Sequence, residues 1–240
     1  MKSEEKDKVV SFYDQFSEKQ QKTGINSRHL SILDKVKLAG LKDSHKILEI
    51  GCGIGTVSHL LATQVSKGEV LAVDISPESI EKAKKLWKKQ ENLSFEVSDM
   101  SDFEKPNEKF DFFVFPDVLE HIPTDQHFRL FQNIQKHAHQ DSVIFIHIPA
   151  PRYLQWMIEN EPAKLQVIDQ PLDSGDLIKN ITANGFFLEK METYSLFFEE
   201  NDYQYFIFRS AKPLSSSTPK SKWSVLKERI RIRLKYGLTQ

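Results

Sequence analysis

From residue 46 onward, short apolar runs alternate with segments whose apolar residues recur every three or four positions. The runs 46–50, 69–74, 93–97, 110–115 and 142–148 are rich in β-branched and aromatic residues and bounded by turn residues, which predicts strands. Between them, 55–66, 77–91 and 124–139 carry the helical period. Ser76 followed by Pro77 and Glu78 reads as an N-cap with proline at the first helical position. Strands and helices alternating at this spacing predict an α/β, Rossmann-like sheet, mostly parallel, with helices on both faces.

The flanks differ. Residues 3–20 read as a polar helix bearing Val9, Val10, Phe12, Tyr13 and Phe16, and 27–39 as a second helix with Leu30, Leu33, Val36 and Leu38. After residue 150 comes a proline-punctuated, aromatic stretch, expected as a cap or loop insert over the carboxyl edge of the sheet. A helix is expected at 174–183. GFFLEKMETYSLFF and DYQYFIFRS then read as a strand pair, and PLSSSTPKS as a linker. The expected organisation is a helical cap (1–40), a main domain (41–212, with the insert at about 150–172), a linker (213–221) and a basic tail (222–240).

Composition narrows the class more than the function. With 39% hydrophobic and 28% charged residues, the 240-residue chain is an ordinary globular protein. No run is long enough for a membrane span, and MKSEEKDKVV lacks the apolar core of a signal peptide, so a cytoplasmic location is expected. A single cysteine, Cys52, excludes an internal disulfide and a multi-cysteine metal site, and no metal is expected. The net charge of −1 hides an asymmetry: residues 220–235 carry +6 and the remainder −7. The acidic body has no nucleic-acid footprint.

The chemistry concentrates at strand ends, where open parallel sheets bind ligands. KILEIGCGIGTV places Glu49 before Gly51, Gly53 and Gly55, Asp74 ends VLAVD, Asp99 follows the third strand, and Pro116 and Asp117 follow the fourth. A triphosphate loop needs Lys-Ser/Thr after its glycines; here Thr56 and Val57 follow Gly55. A dinucleotide turn needs Gly-x-Gly-x-x-Gly, and the third glycine comes one residue early. Glu49 would also repel a pyrophosphate. A phosphate-free, cationic nucleoside, S-adenosylmethionine, suits the site. Asp74 can accept from the ribose hydroxyls and Asp99 from the adenine amine, while the glycines let the backbone come close.

Taken together, LEIGCGIGT, VLAVDIS, VSDM and FDFFVFPDVLEHI resemble a class I S-adenosylmethionine-dependent methyltransferase, strongly over about 40–150 and weakly elsewhere. The resemblance implies a seven-stranded sheet of order 3-2-1-4-5-7-6 with the last strand antiparallel, 185–209 supplying strands six and seven. It implies cofactor roles for Glu49, Gly51, Gly53, Gly55, Asp74, Asp99 and the backbone near Met100 and Pro116; Cys52 and Ile75 lie within the same stretches.

Methyl transfer from a sulfonium is an in-line displacement, so positioning and water exclusion do most of the work and a base is optional. His121 and His147, both at strand ends, are the candidate bases, with local packing as the alternative for His121. His127, His137 and His139 are expected to be solvated helix residues. From the N-terminal segment, Tyr13, Gln20 and Arg28 can reach the cofactor or acceptor, Arg28 being the natural carboxylate partner; an ordinary amphipathic helix is the alternative.

For the acceptor, PheProAspVal after strand four departs from the Asp/Asn-Pro-Pro-Tyr/Phe pattern of many nitrogen methyltransferases acting on nucleic acids and proteins. A small molecule or sugar methylated at oxygen is expected, with Arg152, Tyr153 and Trp156 in the acceptor pocket or, alternatively, in ordinary packing. N-methylation, a nicotinamide oxidoreductase and a non-catalytic binding partner are the rivals. The tail reads either as a helix with Trp223, Leu226, Ile230 and Leu234 on one face, suited to an anionic membrane surface, or as an edge strand by the alternation of Ile230, Ile232, Leu234 and Tyr236. In the first case the protein would be peripheral at the inner membrane surface and its acceptor lipid-linked.

Overall fold

The computed structural model of the chain describes residues 21–100, 103–166, 168–212 and 217–237. Tyr13 and Gln20 lie outside them, so their expected roles have no structural counterpart. The strands are β1 (Lys46–Ile50), β2 (Glu69–Asp74), β3 (Leu93–Val97), β4 (Phe110–Pro116), β5 (Ala138–Pro149), β6 (Phe186–Tyr194) and β7 (Tyr203–Ser210). They form one sheet of order β3-β2-β1-β4-β5-β7-β6. The first five run parallel; β7 is antiparallel to β5, and β6 to β7. The helices are α1 (Ser27–Leu38), α2 (Thr56–Gln64), α3 (Pro77–Leu86), α4 (His127–His137), α5 (Pro151–Asn160), α6 (Ser174–Thr182) and α7 (Lys222–Lys235).

The central parallel strands β1, β2, β4 and β5 are near-continuously apolar and buried on both faces, whereas the edge strands β3 and β6 are largely exposed. Alternation along β4 sends Phe113 and Phe115 to a core with Phe131 and Ile134 of α4 and Ile181 of α6, and Phe112 and Val114 to a core with Ile32 and Val36 of α1 and Leu61 of α2. On β1, Leu48 and Ile50 face the first core and Ile47 the second. Glu49 shares the face of Ile47, beneath α1 and α2.

Several expectations need correction. The helix expected at 77–91 ends at Leu86, where Trp87 caps it and gives its indole N–H to the Ile54 carbonyl, 2.8 Å away. The strand expected at 142–148 spans Ala138–Pro149, because the chain passes directly from α4 into pairing with β4. His139 therefore sits in β5, not on a helix. His127 and His137 are buried, not solvated: they hydrogen-bond backbone carbonyls of Leu119 and Ile122, and of Phe103 and Glu108, respectively. The segment after residue 150 begins as helix α5, and the tail is the helix α7, which removes the edge-strand reading.

Candidate active site

A cleft of about 700 Å³ opens at the carboxyl ends of the parallel strands. One half is lined by Gly51, Gly53, Asp74, Ile75, Asp99, Met100 and Pro116. The other half carries Glu120, His121, Arg129, Tyr153, Asp169 and Tyr203. A smaller cavity of about 130 Å³, lined by Glu49, Cys52, Asn26 and Thr56, shares Arg28, Gly51, Pro116 and Asp117 with it. That combined size suits a nucleoside cofactor together with a small acceptor.

The glycine loop is pinned to the end of β2. Gly51 and Cys52 give their N–H groups to the Val73 carbonyl at 2.8 and 3.0 Å, and Gly53 N–H goes to Asp74 Oδ2 at 2.7 Å. The other Asp74 oxygen accepts from Ser76 N–H at 2.9 Å. Gly51 and Gly55 have positive φ, and a Cβ on them would lie 2.4 Å from Val118 and 2.6 Å from Phe95, respectively. These two glycines therefore make room for neighbouring side chains of the protein, and the close approach to a ligand expected of them is not what their Cβ vectors address. The SDM loop is held by Asn133 of α4, whose amide reaches the Met100 carbonyl at 2.9 Å, with Met100 itself left-handed at φ 62°.

Glu49 is wholly buried, and neither carboxylate oxygen has a hydrogen-bond partner. Burial pushes its pKa up to about 8; the Ser58 hydroxyl nearby offsets little of this, and Asp74 adds repulsion. Burial likewise raises the Cys52 thiol well above its ordinary value, which makes it an unreactive wall.

Arg28 is presented by the start of α1. Asn26 caps that helix by accepting from Arg28 N–H and His29 N–H at 3.0 and 3.3 Å, while its own N–H goes to His29 Nδ1 at 3.1 Å. Arg28 Nη1 lies 3.0 Å from Asp117 Oδ2. His147 Nδ1 donates to the other Asp117 oxygen at 2.6 Å, and its Nε2 receives the Tyr194 hydroxyl at 2.6 Å. Tyr194 in turn accepts from Ser31 of α1 at 3.0 Å, and the His147 ring stacks on Tyr203 with centroids 4.8 Å apart. Asp117 is left-handed, at φ 54°. Burial would raise its carboxyl, but His147 and Arg28 hold it below the ordinary range. The network thus ties α1 to the ends of β4, β5 and β6.

In the other half of the cleft, Glu120 is buried with Oε2 unpartnered, and burial followed by repulsion from Asp117 keeps its pKa well above the ordinary value. His121 Nε2 lies 3.8 Å from Glu120 Oε1, while its Nδ1 sits 2.6 Å from the Ile168 carbonyl and 3.3 Å from Asp169. Burial lowers its pKa, against the opposing pull of Asp169.

The cleft thus gathers Arg28, His121, Tyr153 and most of the strand-end residues that the sequence singled out. His147 is buried beneath it and does not line it. Trp156, 46% exposed, and Arg152 also fall outside the lining. Glu120, Asp169, Tyr194 and Tyr203 escaped sequence reasoning. Glu120 was adjacent to a singled-out histidine, whereas the others come from the insert and the antiparallel pair, where no local pattern marks them.

A family profile described as a methyltransferase domain matches residues 47–141. Residues 47–141 thus match a methyltransferase domain, and the chain has the fold of the class I S-adenosylmethionine-dependent methyltransferases. Among its relatives, the malonyl-[acyl-carrier protein] O-methyltransferase 1 of Ilyobacter polytropus is 29% identical over 107 residues, 45% of this chain and 39% of that protein. The ubiquinone biosynthesis O-methyltransferase of Coxiella burnetii is 33% identical over 94 residues, 39% of this chain and 38% of that protein. The matched stretches thus span under two fifths of the length of these two relatives. Magnesium protoporphyrin IX methyltransferase of Synechocystis, solved with bound S-adenosylmethionine, superposes with a TM-score of 0.65 at 17% identity, over 86% of this chain and 97% of that one. At that identity the likeness establishes the fold.

Proposed function

We propose that the chain transfers the methyl group of S-adenosylmethionine to an oxygen of a small-molecule or sugar acceptor. The observation that carries this reading is Glu49, a fully buried carboxylate with both oxygens unpartnered, on the wall of a cavity that joins the cleft at Gly51. Such a group gains its charge partner only from a ligand that brings a cation, which a pyrophosphate does not. The cofactor's ammonium supplies the cation.

In this reading Glu49, Cys52 and the Gly51, Gly53 and Gly55 loop hold the amino-acid end of the cofactor, and Arg28 its carboxylate. Asp74 and Ile75 hold the ribose, Asp99 and Met100 the adenine, and Pro116 walls the methyl. The bound cofactor supplies a methyl group already activated on sulfonium. The chain's own residues orient the acceptor and exclude water. His121, whose Nδ1–H is held by the Ile168 carbonyl, takes the proton of the acceptor hydroxyl on Nε2. His147, whose Nε2 is occupied by Tyr194, serves as a positioning residue that fixes Asp117 and through it Arg28. Tyr153 forms the acceptor wall, with Arg152 and Trp156 at its rim. The names of the two O-methyltransferase relatives support oxygen as the methylated atom. The cap, linker and tail boundaries of the sequence reading remain part of this proposal.

Titration calorimetry with S-adenosylhomocysteine tests the cofactor assignment. Replacing Asp74 by Ala removes two charge-assisted bonds to the ribose, each worth about 1.5–3 kcal/mol, so affinity should fall by about a hundredfold or more. Unchanged affinity in folded Asp74→Ala protein would remove the ribose role.

A further inference from the structure

The methyltransferase reading leaves helix α7 unused. Every described residue from Ser221 to Gly237 is exposed, including Trp223 at 74%. The helix is nevertheless well specified: Ser221 caps it through Ser224 N–H at 3.1 Å, and basic residues occupy its last turn. Its surface is ordered in stripes. At 100° per residue, Trp223, Leu226, Ile230 and Leu234 share one stripe, while Val225 and Ile232 lie on the opposite face. Lys222, Arg229 and Arg233 flank the first stripe on one side. Lys227, Arg231 and Lys235 edge the polar back of the helix.

We infer that α7 is a membrane-docking element that lies in the plane of an anionic lipid surface, with the stripe of Trp223, Leu226, Ile230 and Leu234 in the acyl boundary and the flanking row of Lys222, Arg229 and Arg233 on lipid phosphates. Charge complementarity selects this occupant. The segment 220–235 carries +6 on a body of −7, so a single basic helix, not the whole protein, is drawn to an anionic surface. The apolar stripe separates a lipid surface from a nucleic acid. Phosphate binding alone would leave a stripe of a tryptophan, two leucines and an isoleucine in water, whereas a bilayer interface covers it and lets the arginines snorkel to the headgroups. A helix of 14 residues is far shorter than a span, and among the described residues no helix is long and apolar enough to cross a membrane, so the contact is peripheral. This inference is independent of the methyl-transfer reading. If both hold, a lipid-linked acceptor becomes the natural substrate class.

The test is co-sedimentation of the full chain with vesicles of phosphatidylcholine alone or doped with phosphatidylglycerol, together with Trp223 emission. Binding is expected to the doped vesicles only, with a blue shift that is lost in Trp223→Phe and with release at high salt. Because these side chains are exposed, Arg229→Gln/Arg233→Gln should leave the body folded and weaken binding about thirtyfold, at about 1 kcal/mol per basic residue. Ile230→Ser/Leu234→Ser should weaken it too. Equal sedimentation of wild type and both variants overturns the inference. So does binding to a duplex DNA fragment without vesicle binding, or self-association through α7 in sedimentation velocity without vesicle binding.

Discussion

Two buried carboxyls set the residue-scale behaviour. Glu49 has a folded pKa near 8 against an ordinary 4.5, so the folded state holds its proton more tightly than the unfolded chain. A raised carboxyl pKa contributes stability that is full below about pH 4.5 and is lost as the pH rises toward 8. Glu49→Gln is therefore expected to raise the melting temperature of the ligand-free protein above pH 8 and to change it little near pH 5. About 1 kcal/mol corresponds to about 2–4 °C in a chain of this size. A uniform shift at both pH values would contradict the assignment. The same variant should weaken S-adenosylhomocysteine binding, because the ammonium loses its counter-charge. Glu120, facing Asp117, His121, Asp169 and Arg28, makes a different prediction. Burial and Asp117 raise its pKa, and a sulfonium arriving in the cleft favours its ionisation. S-adenosylmethionine binding should then release more protons than S-adenosylhomocysteine binding, read from calorimetric enthalpies in buffers of differing ionisation heat. Glu120→Gln should erase the difference.

At the scale of elements, the position of α1 depends on few contacts outside its apolar face. Ser31 donates to Tyr194, Tyr194 donates to His147, and Arg28 pairs with Asp117. Tyr194→Phe removes the middle of this chain and leaves His147 Nε2 without its donor. Amide exchange should accelerate in Ser27–Leu38, while β1 keeps its protection; unchanged exchange in α1 would show that packing of Ile32 and Val36 alone secures the helix. Gly55 links the glycine loop to α2 at φ 79°, with a Cβ position 2.6 Å from Phe95 and 3.0 Å from Trp87. Gly55→Ala should cost about 1–3 kcal/mol from left-handed strain and overpacking together, seen as a lowered melting temperature. Much of this level was legible in the sequence. The strands of the parallel half have the apolar, turn-bounded pattern that a doubly covered sheet demands, and Ser76-Pro77 marks the start of α3 as read. Helix ends were less legible, because Trp87 ends α3 through a tertiary bond to Ile54 that no local pattern announces. The burial of His127 and His137 was hidden for a similar reason: their partners are backbone carbonyls of loops distant in the chain or set by tertiary turns.

For the molecule as a whole, the site is assembled from strand ends in one half and from the insert and antiparallel pair in the other. The first half was readable because Gly51, Gly53 and Asp99 follow strands and Asp74 ends one, and position at a strand's carboxyl end implies position above the sheet. The second half was not, since Tyr194 and Tyr203 flank a turn between β6 and β7 and reach the site only through antiparallel pairing beside β5. His147 shows the consequence. From sequence it was a candidate base at a strand end, and only the fold places Tyr194 on its Nε2. The account as a whole rests on a cleft that favours a cationic, phosphate-free nucleoside. Its most direct test is parallel calorimetric titration of the full chain with S-adenosylhomocysteine and with an oxidised nicotinamide dinucleotide. Saturable binding of the first and none of the second is predicted; binding of the dinucleotide without S-adenosylhomocysteine would contradict the account.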